Sequence, residues 1–77
     1  MYFRLVPILV KPEHIQKGID TYNGKRDEHF EDLLKNGNLD GEVYRFMDGR
    51  YLVNYKLIGR AFLYQSKEEL MTAITLS

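Results

Sequence analysis

Two histidines stand beside acids in this chain, as Glu13-His14 and Glu28-His29, the second with Asp32 three positions on. Imidazole changes charge near neutral pH and is the commonest metal ligand, so His29 and Asp32, one helical turn apart, are a candidate pair for acid–base or metal chemistry. Two ligands do not close a metal site. The chain has no HExxH motif, no histidines four apart and no cysteine to complete one. Acidic residues are also what helix N-termini favour on electrostatic grounds alone. The histidines read as solvated helix surface, and the sequence implies no catalytic residue, no metal and no cofactor.

Nucleophilic catalysis has equally little to draw on. The serines are Ser66, which fits a helix cap, and Ser77. The stretch "YNGKRDE", residues 22–28, sets two bases after a glycine but lacks the glycine spacing of either common nucleotide-binding loop. These residues point away from an enzyme and toward a protein that acts by binding.

The elements that position them are legible from periodicity and punctuation. Residues 2–10 carry apolar groups on both alternating sets, as a strand covered on two sides would, and Pro7, which has no N–H to donate, places that strand at an edge or bulge. Pro12 suits the first turn of a helix. Ile15, Ile19 and Tyr22 then recur at helical spacing, which assigns Tyr22 to the core. Asn23-Gly24 either ends this helix, with Asp27 capping a second that runs to about Lys35, or marks a weak point in one continuous helix.

In "EVYRFMDGRYLVNYKL", residues 42–57, Asp48-Gly49 between two β-rich runs predicts a hairpin with a two-residue turn. That turn pairs Phe46 with Tyr51, Tyr44 with Val53 and Glu42 with Tyr55 on one face. On the other it pairs Met47 with Arg50, Arg45 with Leu52 and Val43 with Asn54. Gly59 leads into a further strand over residues 60–64, with two registers open. A two-residue turn sets Phe62 and Tyr64 beside Tyr55 and Val53, whereas a three-residue loop sets Ala61 and Leu63 there. The longer loop is favoured, because Ile58 is a poor residue for positive φ. Ser66 and Glu69 form a capping box ahead of a short C-terminal helix.

Composition sets the frame. Seventy-seven residues, 44% hydrophobic and 13% aromatic, make one domain over residues 1–77, large enough for a single core. Without cysteine, stability rests on packing. The zero net charge gives no general reason to bind nucleic acid or an anionic membrane. Arg4 and Pro7 interrupt the apolar opening, which therefore reads as a strand and not as a leader peptide. No apolar run approaches the roughly 20 residues of a membrane span. The expectation is a soluble, cytoplasmic protein of the α+β class. Its sheet would have about four mostly antiparallel strands in β-α-β-β-β-α order, with helices packed on one face.

The face those helices leave open is the expected binding surface: Val43, Arg45, Met47, Arg50, Leu52 and Lys56. It mixes arginine stems with apolar groups, as protein interfaces do, and a second copy could pair through the same surface to give a homodimer. Residues 42–60 hold four cations against two acids, a net charge of +2, and residues 25–40 hold three against five, a net charge of −2. The expected function is that of a small, non-enzymatic regulator or inhibitor of a larger protein, by an analogy of size with phage-type inhibitors of host machinery. One alternative is nucleic-acid binding through Arg45, Arg50, Lys56 and Arg60. Another sets the acidic surface of Asp27, Glu28, Glu31 and Asp32 against a basic groove. Base stacking on the six tyrosines and four phenylalanines is less favoured, since the RNA-binding consensus is absent and most of them belong to the covered face.

Overall fold

The computed structural model describes residues 7–76. Its elements in chain order are β1 (Ile8–Val10), α1 (Pro12–Thr21), β2 (Lys25–Arg26), α2 (Glu28–Asn36), β3 (Gly41–Arg45), β4 (Tyr51–Tyr55), β5 (Arg60–Tyr64) and α3 (Lys67–Leu76). The strands form one antiparallel sheet in the order β1-β5-β4-β3-β2. The fold is α+β, with one strand more than the sequence suggested. Pro7 directly precedes β1, which lies at the sheet edge as its proline requires. The part of the expected first strand before Pro7 lies outside the described residues.

The helices cover both faces and not one. On the first face Phe30 and Leu34 of α2 and Leu70 of α3 pack with Val43, Tyr51, Val53 and Tyr64. On the second, Ile15 and Ile19 of α1 pack against Phe46, Leu52 and Ala61. The sheet is therefore the middle of three layers, and each central strand carries apolar residues on both sides.

Local chemistry sets the helix boundaries. Pro12 opens α1, and the Asp27 carboxylate accepts the Phe30 N–H at 3.2 Å to cap α2, so there are two helices. Between them lies β2, too short for any periodicity to reveal. The Asp27 N–H donates to the Val43 carbonyl at 2.8 Å, and the Glu31 carboxylate accepts the Val43 N–H at 2.9 Å. Where β2 stops, a side chain on α2 thus completes the ladder of β3. Arg26 holds that carboxylate through two hydrogen bonds. At α3, Ser66 Oγ accepts the Glu69 N–H at 3.1 Å, the first half of a capping box, while Glu69 Oε2 accepts the N–H of Gln65, one residue before the cap, also at 3.1 Å.

The β3–β4 hairpin departs from expectation by one residue. Arg45 pairs with Tyr51, Tyr44 with Leu52, Val43 with Val53 and Glu42 with Asn54. The loop has three residues, 47–49. The Gly49 N–H donates to the Phe46 carbonyl at 3.0 Å, and Gly49 alone takes positive φ, at 93°. Asp48 does not take the left-handed conformation that a type I′ turn demands. Its carboxylate instead accepts both the backbone N–H and the Nε–H of Arg50, at 3.1 and 2.8 Å, which favours the three-residue loop. A shift of one residue exchanges the faces of every later side chain.

The next hairpin overturns the favoured register, in which Ala61 and Leu63 would have stood beside Val53 and Tyr55. The loop between β4 and β5 has four residues, 56–59, with the Gly59 N–H donating to the Tyr55 carbonyl and Gly59 left-handed at φ 65°. Gly59 is left-handed, as the longer loop required. Yet Val53 pairs with Phe62 and Tyr51 with Tyr64, the faces of the two-residue alternative, because two and four residues share a parity.

Candidate functional site

The surface expected from the sequence does not assemble. Val43 is fully buried under α2 and Leu52 is 1% exposed under α1, on opposite sides of the sheet. Arg45 is exposed, 3.9 Å from the Asp27 carboxylate, and Met47 is exposed at the hairpin tip. Arg50 is folded back, its guanidinium over the Tyr22 ring at 4.3 Å and bonded to Asp48. Tyr22 in turn stacks on Phe46 at 5.4 Å. At 41% exposed, Tyr22 is a lid at the end of α1 and not the core residue its spacing suggested. Lys56 lies exposed in the β4–β5 loop.

The alternative surfaces are also dispersed or engaged. Arg45 and Arg50 flank one end of β4, whereas Lys56 and Arg60 flank the other, about 15 Å away at the usual rise per residue. Of the acids, Asp27 caps α2 and Glu31 serves Val43 and Arg26, which leaves Glu28 and Asp32 on open helix surface. Arg26 holds the Glu31 carboxyl below its ordinary range, helped by the Val43 N–H and opposed by burial. His14 and His29 are exposed on different helices. Among the described residues no group of three or more potential ligands is placed to hold a metal ion, and no helix is long and apolar enough to cross a membrane.

What the fold leaves open is an apolar groove of about 290 Å³ on the face shared by α2 and α3. Past the end of α2, Gly37 and Asn38, the latter left-handed at φ 62°, turn the chain back toward β3. Leu39 is held there by its N–H to the Leu34 carbonyl at 2.8 Å. The α3 helix contributes Ala73. Between Leu39 and Ala73, Tyr55 of β4 and Phe62 and Tyr64 of β5 form the floor, Pro7 and Asp40 add to the lining, and Leu57 and Ile58 form a lip. Leu57 is 72% exposed and Ile58 60%, an adjoining pair of large aliphatic groups facing solvent.

The groove has one polar feature in its floor. The hydroxyls of Tyr55 and Tyr64 share a hydrogen bond of 2.7 Å, and the Tyr55 ring meets Phe62 edge-on at 6.0 Å. Burial raises both phenol pKa values; for Tyr64 the bond to Tyr55 raises it further, and for Tyr55 the bond to Tyr64 partly offsets the rise. These hydroxyls are neutral at physiological pH. Such a lining suits contact with an apolar group.

Sequence reasoning missed these residues although a signal was present. Loops are normally polar, and "KLIGR" sets two large aliphatics side by side in a turn where no core can reach them. Leu39, Tyr55 and Phe62 gave no such signal, since each also fits a core position. Comparisons with protein-family models, with curated proteins and with solved structures returned no match.

Proposed function

We propose that this protein is a non-enzymatic binding protein, a small regulator or inhibitor, that docks another protein at the groove between the β4–β5 loop and α3. The observation that carries this reading is the continuity of Leu57 and Ile58 with the floor of Tyr55, Phe62 and Tyr64. Water contacts an apolar lip and an apolar concavity together, the arrangement that an inserted side chain from a partner would desolvate. The β3–β4 hairpin has no comparable concentration, since Val43 and Leu52 are buried and Met47 stands exposed without an apolar neighbour from that set.

The sheet edges favour the groove over strand addition. Alternation of the antiparallel ladder turns Pro7 and Leu9 toward the open side of β1, so one of the two positions lacks a donor, and the opposite edge is the charged pair Lys25–Arg26. The test is capture from native cell extract with the wild-type chain and with Leu57→Asp/Ile58→Asp. A protein held by the wild type at low and high salt and lost from the variant supports the reading. Retention by the variant would overturn it, and so would capture of nucleic acid alone.

A further inference from the structure

We propose that the segment received by this groove is acidic, presenting one large apolar side chain beside carboxylates. This inference rests on the docking reading above and names the chemistry of the partner. The loop that forms the lip and the first residue of β5, residues 56–60, read Lys-Leu-Ile-Gly-Arg, two cations around two exposed aliphatics with no acid. Elsewhere among the described residues the arginines are matched: Arg26 with Glu31 and Glu42, Arg45 with Asp27, Arg50 with Asp48. Among the described residues Arg60 has no such partner, and Lys56 makes no ion pair, although its charge acts on the Glu31 carboxylate from farther off. The chain as a whole is neutral, so this local excess of positive charge lies at the lip and not over the whole surface. Among the described residues Asp40 is the single acid of the groove lining, and its neighbour Lys56 donates its backbone N–H to the Asp40 carbonyl.

Geometry adds the apolar half of the requirement. A volume of about 290 Å³ takes one or two bulky side chains, and its concave walls suit an inserted group from a chain. A flat lipid surface would engage the lip alone. The paired Tyr55 and Tyr64 hydroxyls can donate at most one proton outward, to a carbonyl or carboxylate of the entering segment. Arginine and lysine beside an apolar anchor raise the association rate and select the sign of the partner's charge.

The experiment pans a random dodecapeptide library displayed on phage against the full chain, with counter-selection on Leu57→Asp/Ile58→Asp. The expected result is a consensus with one large apolar residue flanked by Asp or Glu. A synthetic peptide of that consensus should then bind at least tenfold more weakly to Lys56→Glu/Arg60→Glu, a variant altered at exposed positions only. Groove-dependent peptides with no acidic bias, or equal binding to the charge-reversed variant, would overturn this inference and leave the docking reading standing. No groove-dependent enrichment would overturn both. Two further outcomes would also overturn it: binding of phosphatidylserine vesicles in preference to the peptide, or a tenfold gain in peptide affinity on removing residues 1–6, which would make the chain's own N-terminus the occupant.

Discussion

Val43 and Leu52 belong to adjacent paired strands, yet their side chains enter different cores, Val43 beneath α2 with Phe30 and Leu34, and Leu52 beneath α1 with Ile15 and Ile19. Both are sealed from solvent. Leu52→Asp is therefore expected to unfold the protein, because an unpaired carboxylate would be left in an apolar layer. Val43→Ala should cost about 1–3 kcal/mol and Leu52→Ala about 2–5 kcal/mol, and the two losses should nearly add, since they fall in separate clusters. Urea denaturation followed by circular dichroism measures all three. A folded, stable Leu52→Asp variant would contradict the three-layer arrangement.

Two glycines should respond for different reasons. A Cβ at Gly41 would stand 2.6 Å from the Asn54 carbonyl oxygen, a backbone atom that cannot turn aside, so Gly41→Ala should destabilise by about 1–3 kcal/mol through displacement of β3 from β4. At Gly49 the space is open and the obstacle is the left-handed backbone, so Gly49→Ala should cost about 1 kcal/mol and Gly49→Asn less. Thermal melts that rank Gly49→Ala as the more harmful change would be inconsistent with this packing.

How far the sequence reveals this fold follows from which interactions are local. Pro12, Asp27 and Ser66 announce helix starts because a cap acts within three or four residues of itself, and all three mark the starts of helices here. The parity of the first hairpin was not legible. It turns on whether Asp48 adopts positive φ or spends its carboxylate on Arg50, alternatives separated by about 1 kcal/mol and unmarked in the residue string. One residue of slip carried Val43 and Leu52 off the expected surface. The strand β2 was hidden for another reason: two residues carry no periodic signal, and the ladder beyond them is completed by Glu31, twelve residues from Val43 in the chain but hydrogen-bonded to it.

Acid should weaken the β2–α2–β3 junction. The Glu31 carboxyl is held below its ordinary range, chiefly by Arg26, so the unfolded chain binds this proton more readily than the folded one. The contribution is present above the unfolded value, about 4.3, and is lost as pH falls through the lower folded value. Glu31→Gln removes the charge and keeps the shape. Its stability should fall less steeply than that of the wild type on the acid side, in urea titrations at a series of pH values. Parallel slopes would refute the linkage.

Alkali should act at the groove floor. Burial raises the pKa values of Tyr55 and Tyr64, so their stabilising effect is complete below the ordinary phenol value of about 10 and disappears as pH rises from there through the folded values. Tyr64→Phe should cost about 1 kcal/mol at neutral pH through the lost hydroxyl pair, and should flatten the alkaline loss of stability. A variant with the same alkaline slope as the wild type would contradict the burial of these phenols.

The docking claim is tested most directly by amide hydrogen exchange of the protein alone and bound to a partner captured as described above. The account predicts added protection over residues 56–62, around Leu39 and Asp40, and in the part of α3 that contains Ala73, with little change at the β3–β4 hairpin or the first turn of α2. Protection centred instead on Arg45, Met47 and Arg50, or on Glu28 and Asp32, with the groove unchanged, would place the interface elsewhere and contradict it.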